Sequence, residues 1–250
     1  MHAHNRPDTG TPANEVALAE ASAFAQRIGE RWWSDFEGRL IGVYRLGSLA
    51  HGGFSRRYSD IDVAVIAVEP LVSAELDRMR ELATDASSEL AGRLSIFWAD
   101  RFFRAGRFPP LDRVDYLDHG AAIVERERVR PERPPLLEIR QSLRGAVERW
   151  SQHIRYYSEL PALGASDHKP YLRSLLYPAR LLYSWTTGAM ASNDHAVEFV
   201  RRHSIPDLDV DLIERALQCR RENGDLDRLF PERSKLEHQY SVCATVISRS

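Results

Sequence analysis

The stretch Tyr44-Arg45-Leu46-Gly47-Ser48-Leu49-Ala50-His51-Gly52-Gly53-Phe54-Ser55-Arg56-Arg57-Tyr58-Ser59-Asp60-Ile61-Asp62-Val63 decides how this chain is read. Residues 61–68 continue it as Ile-Asp-Val-Ala-Val-Ile-Ala-Val, rich in β-branched and apolar side chains and closed by Pro70. Such near-continuous hydrophobicity suits a strand covered on both faces. Upstream, residues 40–46 form a second short apolar run that ends at Gly47-Ser48, and Gly52-Gly53 marks a loop.

Side chains alternate along a strand, so Asp60 and Asp62 take one face and Ile61 the other. Two carboxylates about 7 Å apart on one face repel unless a cation stands beside them. Mg²⁺ suits them, because it binds one or two carboxylates and completes its shell with water and phosphate oxygens. Gly47 removes a Cβ where the backbone can approach a ligand, and Ser48 offers hydroxyl and amide donors at a helix start. Together they make a small phosphate cradle. On these residues alone a plainer alternative stays open, in which two solvated acids begin a strand beside a Gly-Ser turn.

Outward from the motif the chain divides in two. Before it, apolar residues at Ala17, Ala21, Phe24, Ala25, Ile28 and Trp32 recur every three or four positions, which predicts a helix capped by Asn14. After it, 73–90 resumes helical spacing, 94–99 reads as a third strand and 121–124 as a fourth. Residues 126–135 are charged and Pro-rich and read as a linker. Beyond it only helical patterns follow, over 136–160, 170–187, 192–203, 208–223 and 233–248, with Gly188 as a stop and Ser192 as a start. The expected class is α+β. A disordered tail (1–14) precedes a small mixed sheet with helices (15–125), followed after the linker by an all-α bundle (136–250).

Composition narrows the function classes. The 250 residues carry 34 basic and 36 acidic side chains, a net charge of −2 that leaves little electrostatic footprint for nucleic acid. Only Lys169 and Lys235 among the 34 are lysines, so 32 are arginines, and any lysine chemistry must use one of two positions. Two cysteines, Cys219 and Cys243, form neither a disulfide framework nor a structural zinc pattern. The first residues lack a basic segment followed by an apolar core, and no run of 18 apolar residues exists, so a cytoplasmic protein without a membrane span is expected.

A strand ending in Gly-Ser, eleven residues, then Asp-x-Asp opening a second apolar strand resembles the signature of the nucleotidyltransferase superfamily. Within it, the helical second half is similar to the aminoglycoside adenylyltransferases that modify streptomycin and spectinomycin. The segment Tyr183-Ser184-Trp185-Thr186-Thr187-Gly188 matches that family's Tyr-x-x-x-Thr-Gly helix end. The resemblance implies transfer of a nucleoside monophosphate, AMP from ATP, to a hydroxyl of a small-molecule acceptor. Asp60 and Asp62 would be the catalytic pair and hold two Mg²⁺ ions, with Gly47, Ser48 and Ser59 at the nucleotide phosphates. From the helical half, Arg180 and Asn193 stand where the family contacts the nucleotide, and Trp150 and Asp167 where it holds a cationic acceptor. On the residues alone, Trp150 reads equally as core, Arg180 as a surface ion pair and Asp167 as a turn or cap. His51 and His119, each beside a glycine, read as loop residues.

Two positions depart from the family. Its third carboxylate, which completes the metal site and serves as general base, falls on Ser95, and a serine cannot take a proton at neutral pH. Asp100, five residues on, has the wrong parity to replace it. The family's phosphate-contacting lysine falls on Asn193, for which Arg201 and Arg202 are the nearby substitutes. These departures support an alternative role as a nucleotide-binding protein of the same fold with little turnover, a sensor or regulatory partner such as one half of a toxin–antitoxin pair.

Overall fold

A computed structural model describes residues 11–248. The chain separates into two compact units, one ending at Arg133 and the other beginning at Pro134.

The first unit contains helices α1 (Pro12–Asp35), α2 (Ser48–His51), α3 (Ser73–Ala86), α4 (Ser88–Ala91) and α5 (Pro110–His119). Its strands are β1 (Leu40–Arg45), β2 (Ile61–Ala67), β3 (Leu94–Asp100), β4 (Gly106–Arg107) and β5 (Ala121–Glu125). They form one five-stranded mixed sheet in the order β4-β3-β2-β1-β5. The β2–β3 pair is parallel and the other three are antiparallel. The sheet is covered on both faces, as the apolar run of β2 requires. Ile61, Val63, Val65 and Ala67 point into one cluster with Phe24, Ile28 and Trp32 of α1 and Met79 and Leu82 of α3. Ala64 and Ile66 point the other way, to Tyr44 and to Tyr116 of α5. Trp32 is fully buried and its indole N–H donates to Met79 O at 3.0 Å, which joins α1 to α3.

Several expectations are corrected. The first helix begins at Pro12, a residue type suited to the first turn because it needs no N–H partner there. Asn14 is therefore a helical residue and neither cap nor tail, and its Oδ1 accepts from Arg56 N–H at 2.9 Å. The remainder of the expected tail, 1–10, lies outside the described residues. The helical pattern over 73–90 breaks at Ser87, whose hydroxyl caps the separate turn α4. The segment 126–135 has no helix or strand, yet it is not idle. Arg128 lies over the rings of Tyr44 and Tyr116 at 4.5 and 4.6 Å and donates to Tyr116 O and Gly120 O. Tyr116 Oη donates to Val129 O at 2.7 Å, so the front of this segment closes the first unit's core.

The second unit is helical: α6 (Leu136–Glu159), α7 (His168–Thr187), α8 (Asn193–His203), α9 (Val210–Glu222) and α10 (Lys235–Ser248), with two 3₁₀ turns before α10. The helix α7 packs against the other four and is apolar around most of its circumference, as a central helix must be. It stops at Gly188, whose φ of +67° only glycine adopts without strain.

Candidate functional site

The site begins where β1 ends. Leu46 N–H donates to Asp62 O at 2.9 Å, extending the ladder by one residue. Gly47 then turns the chain with φ +57° into the single turn α2. A Cβ at Gly47 would overlap Asp62 Oδ2. The sequence reading assigns this glycine to close ligand approach; the structure gives the space to the Asp62 carboxylate instead. Asp62 alternates with Ile61 and Val63 and so shares its sheet face with Ala64 and Ile66, while Asp60 lies one residue before β2.

The returning loop is pinned to this turn by serines. Ser48 Oγ donates to Ser59 Oγ at 3.2 Å, and Ser59 Oγ also accepts from Ser55 N–H at 2.9 Å. Ser59 is buried, so it acts on Ser48 from behind, where the sequence reading gives it a direct phosphate contact. Arg93, which sequence reasoning missed, holds the next link: its Nε and Nη2 donate to Ser59 O at 3.1 and 2.7 Å. Burial lowers the Arg93 pKa, and the nearby Asp60 and Glu89 charges oppose that shift.

Ser95 lies directly opposite Asp62 in the parallel β2–β3 register. In-register neighbours of a parallel pair point the same way, so Ser95 stands where a third carboxylate would face Asp62. Asp100 pairs with Ala67, whose side chain is in the opposite core, and its Oδ1 accepts from Arg104 and Ala105 N–H at 2.7 and 3.1 Å. Parity excludes it from the site. Among the described residues, no third His, Cys, Asp or Glu joins Asp60 and Asp62 in a metal-ligand cluster. One such cluster, His168 with Asp225 and Asp227, belongs to the helical unit and contains none of the motif residues.

One acid near the motif went unnoticed in the sequence. Asp115 of α5 is 3% exposed, and its Oδ2 accepts from Gly47 N–H at 2.8 Å. Sequence reading assigns no helix between β3 and β5, although Pro110 at a first turn and the Val114–Leu117 spacing signal one. His51 and His119, expected in loops, are the last residues of α2 and α5. Their rings meet edge to face at 5.6 Å, and His51 Nε2 is 3.9 Å from Asp115 Oδ1.

In the helical unit, Trp150 is 3% exposed and packs on Tyr177 and Tyr240, with ring centroids at 4.7 and 5.6 Å. Its Nε1 and the Tyr177 hydroxyl are both buried without a hydrogen bond. Burial pushes the Tyr177 pKa up to about 12, against the pull of Arg180 and Arg149. Arg180 thus neighbours the Trp150 cluster on half-exposed ground. Asp167 is separate: it precedes α7, where Oδ1 accepts from Tyr156 Oη at 3.0 Å and Oδ2 from Gly164 N–H at 2.9 Å. Asn193 opens α8 behind the Ser192 cap. The two arginines expected to compensate for it, Arg201 and Arg202, are both paired with Glu198.

No family model matches the chain, and no curated protein matches it in sequence. Among solved structures it is similar to a spectinomycin adenyltransferase, AAD(9) from Enterococcus faecialis, solved with ATP and spectinomycin. The TM-score is 0.65 at 15% identity, over 90% of this chain and 99% of that one. Two toxin–antitoxin structures, one with AMP-PNP and one a MntA-HpeT mutant, match 51% of the chain at TM-scores of 0.32 and 0.31 and identities of 19% and 17%. The chain therefore has the α+β fold of that adenyltransferase.

Proposed function

We propose that this chain is a Mg²⁺-dependent nucleotidyltransferase that moves a nucleoside monophosphate, AMP from ATP, to a hydroxyl of a small molecule. The observation that carries the reading is the Asp62 carboxylate set against the Gly47-Ser48 turn, in a chain with an adenyltransferase's fold.

The donor set fits a divalent cation: Asp60 and Asp62 are half-buried carboxylates two residues apart at the start of β2, and Mg²⁺ takes its remaining ligands from water and phosphate oxygens. When bound there, the ion or ion pair would neutralise triphosphate charge and polarise the α-phosphorus. The chain's own groups supply the rest. Ser48, braced by Ser59 and Arg93, offers its donors to the triphosphate. The acceptor oxygen forms a bond to the α-phosphorus, the α–β bridging bond breaks, and pyrophosphate leaves with the bonding electrons. The hydroxyl proton passes to water, because Ser95 is no base. A positioned base contributes about 10²–10⁴-fold, so slow turnover is expected. In this reading Arg180 and Asn193 contact the nucleotide. Trp150 serves a cationic acceptor of the aminoglycoside kind, for which its buried, unpartnered indole N–H is the supporting feature, whereas Asp167 stands apart, held by Tyr156 Oη and Gly164 N–H.

The test is pyrophosphate release from ATP and Mg²⁺ over a panel of hydroxyl-bearing acceptors that includes spectinomycin and streptomycin. Acceptor-dependent release that Asp60→Asn and Asp62→Asn each abolish is expected. Release unchanged in either variant would overturn the assignment. A second reading, nucleotide binding without turnover, is favoured by one observation, Ser95 opposite Asp62. Saturable ATP binding with no release for any acceptor would select it.

A further inference from the structure

The Gly47-Ser48 turn is held from an unexpected direction. Gly47 N–H, which a phosphate cradle would offer to a ligand, is taken by Asp115 Oδ2 at 2.8 Å, from a helix 68 residues along the chain. Asp115 is 3% exposed, and its Oδ1 is buried without a hydrogen bond, 3.9 Å from His51 Nε2. A buried carboxylate with one oxygen unsatisfied is a cost that stability alone does not explain. An apolar residue at 115 would remove that cost, but it would leave Gly47 N–H unanchored.

The conformation at Gly47 explains what the anchor does. With φ +57° and ψ −143°, the residue occupies space that only glycine enters freely, and glycine loses the most backbone freedom when fixed. The same residue leaves room for Asp62 Oδ2 where a Cβ would stand. Fixing Gly47 therefore fixes Ser48, one residue on, relative to Asp62. We propose that Asp115 is a positioning residue for nucleotide binding, its carboxylate clamping Gly47 N–H so that Ser48 and Asp62 are preset for the triphosphate. The phosphates are then received by Ser48 and the acidic pair, not by the Gly47 amide. This rests on the nucleotidyltransferase reading.

The experiment uses the full chain and two readouts: hydrogen exchange at Gly47 N–H without ligand, and the calorimetric Kd for ATP with Mg²⁺. Asp115→Ala is expected to speed Gly47 exchange at least tenfold and to weaken ATP binding by about tenfold, the scale of a lost charge-assisted hydrogen bond. Asp115→Asn, which keeps an acceptor oxygen, is expected to retain both within about threefold. If Asp115→Ala does not fold, Asp115→Ser, too short to span to Gly47, replaces it. Faster exchange with unchanged ATP affinity would overturn the proposal and leave the functional reading standing. Unchanged exchange would overturn the clamp itself. A parent chain that binds no ATP would refute the functional reading and this inference with it.

Discussion

Gly47 is the residue through which Asp62 and the Gly47-Ser48 turn meet, and its substitution is the sharpest single-residue probe of the geometry. In Gly47→Ala a methyl group would be forced onto Asp62 Oδ2 at a positive φ. The expected loss of stability is about 1–3 kcal/mol for the strained backbone, with a larger loss of ATP binding because Asp62 must move. Thermal melts and calorimetry on the same protein separate the two, and an alanine variant that binds ATP normally would contradict the arrangement. Ser95 offers a probe of opposite sign. Its register partner is Asp62, so Ser95→Asp adds a third carboxylate to that face. Without metal it should lower the melting temperature by charge repulsion, and Mg²⁺ should raise that temperature more than in the parent. Turnover should rise on the order of tenfold or more if a general base is what the site lacks. The face that Asp62 takes was legible in the sequence because alternation along a strand is rigid. Asp115 was not, since its importance lies in a contact with Gly47, 68 residues away, which no local pattern encodes.

At the scale of elements, strands and long helices followed from periodicity, and the short pieces did not. The β2 run is apolar on both faces because α1 and α3 cover one side and Tyr44 and Tyr116 the other. The helix α1 follows from its spacing, and Trp32→Ala should cost about 3–5 kcal/mol in a denaturant melt because the ring is fully buried and joins α1 to Met79. The two-residue β4 and one-turn α2 fall below the length at which periodicity speaks. In the helical unit, Glu232 lies between Arg215 and Lys235, which hold its pKa down at about 2, with Arg215 the larger cause. A carboxylate whose folded pKa is depressed stabilises fully above its unfolded value and loses that contribution as pH falls through the folded one. Glu232→Gln should therefore lower the melting temperature at pH 7, and the gap to the parent should narrow from about pH 4.5 down towards 2. A constant gap across that range would assign the effect to packing.

For the whole molecule, the two units divide between Arg133 and Pro134, within the charged, Pro-rich segment 126–135 that reads as a linker, and Arg128 and Val129 belong to the first unit's core. The shortage of lysine takes on meaning at this scale. Asn193 falls, in the proposed reading, where the resembling family carries a phosphate-contacting lysine, and Lys235 is paired with Asp209 and Glu232 in its own unit. In that reading triphosphate charge is met by a divalent cation and by arginine, so nucleotide binding is expected to be steeply metal-dependent. No helix among the described residues is long and apolar enough to cross a membrane. Ligand binding stabilises a folded chain by about 2.7 kcal/mol at a hundred times Kd, so ATP with Mg²⁺ should raise the melting temperature where ATP alone does not.

The measurement that meets the central claim most directly is ATP binding by calorimetry, with and without Mg²⁺, in the parent chain and in Asp60→Asn and Asp62→Asn. Saturable binding that needs Mg²⁺ in the parent and is lost in both variants is the expected result. Binding that ignores Mg²⁺, or that survives both substitutions unchanged, would contradict the assignment of this face as the nucleotide site.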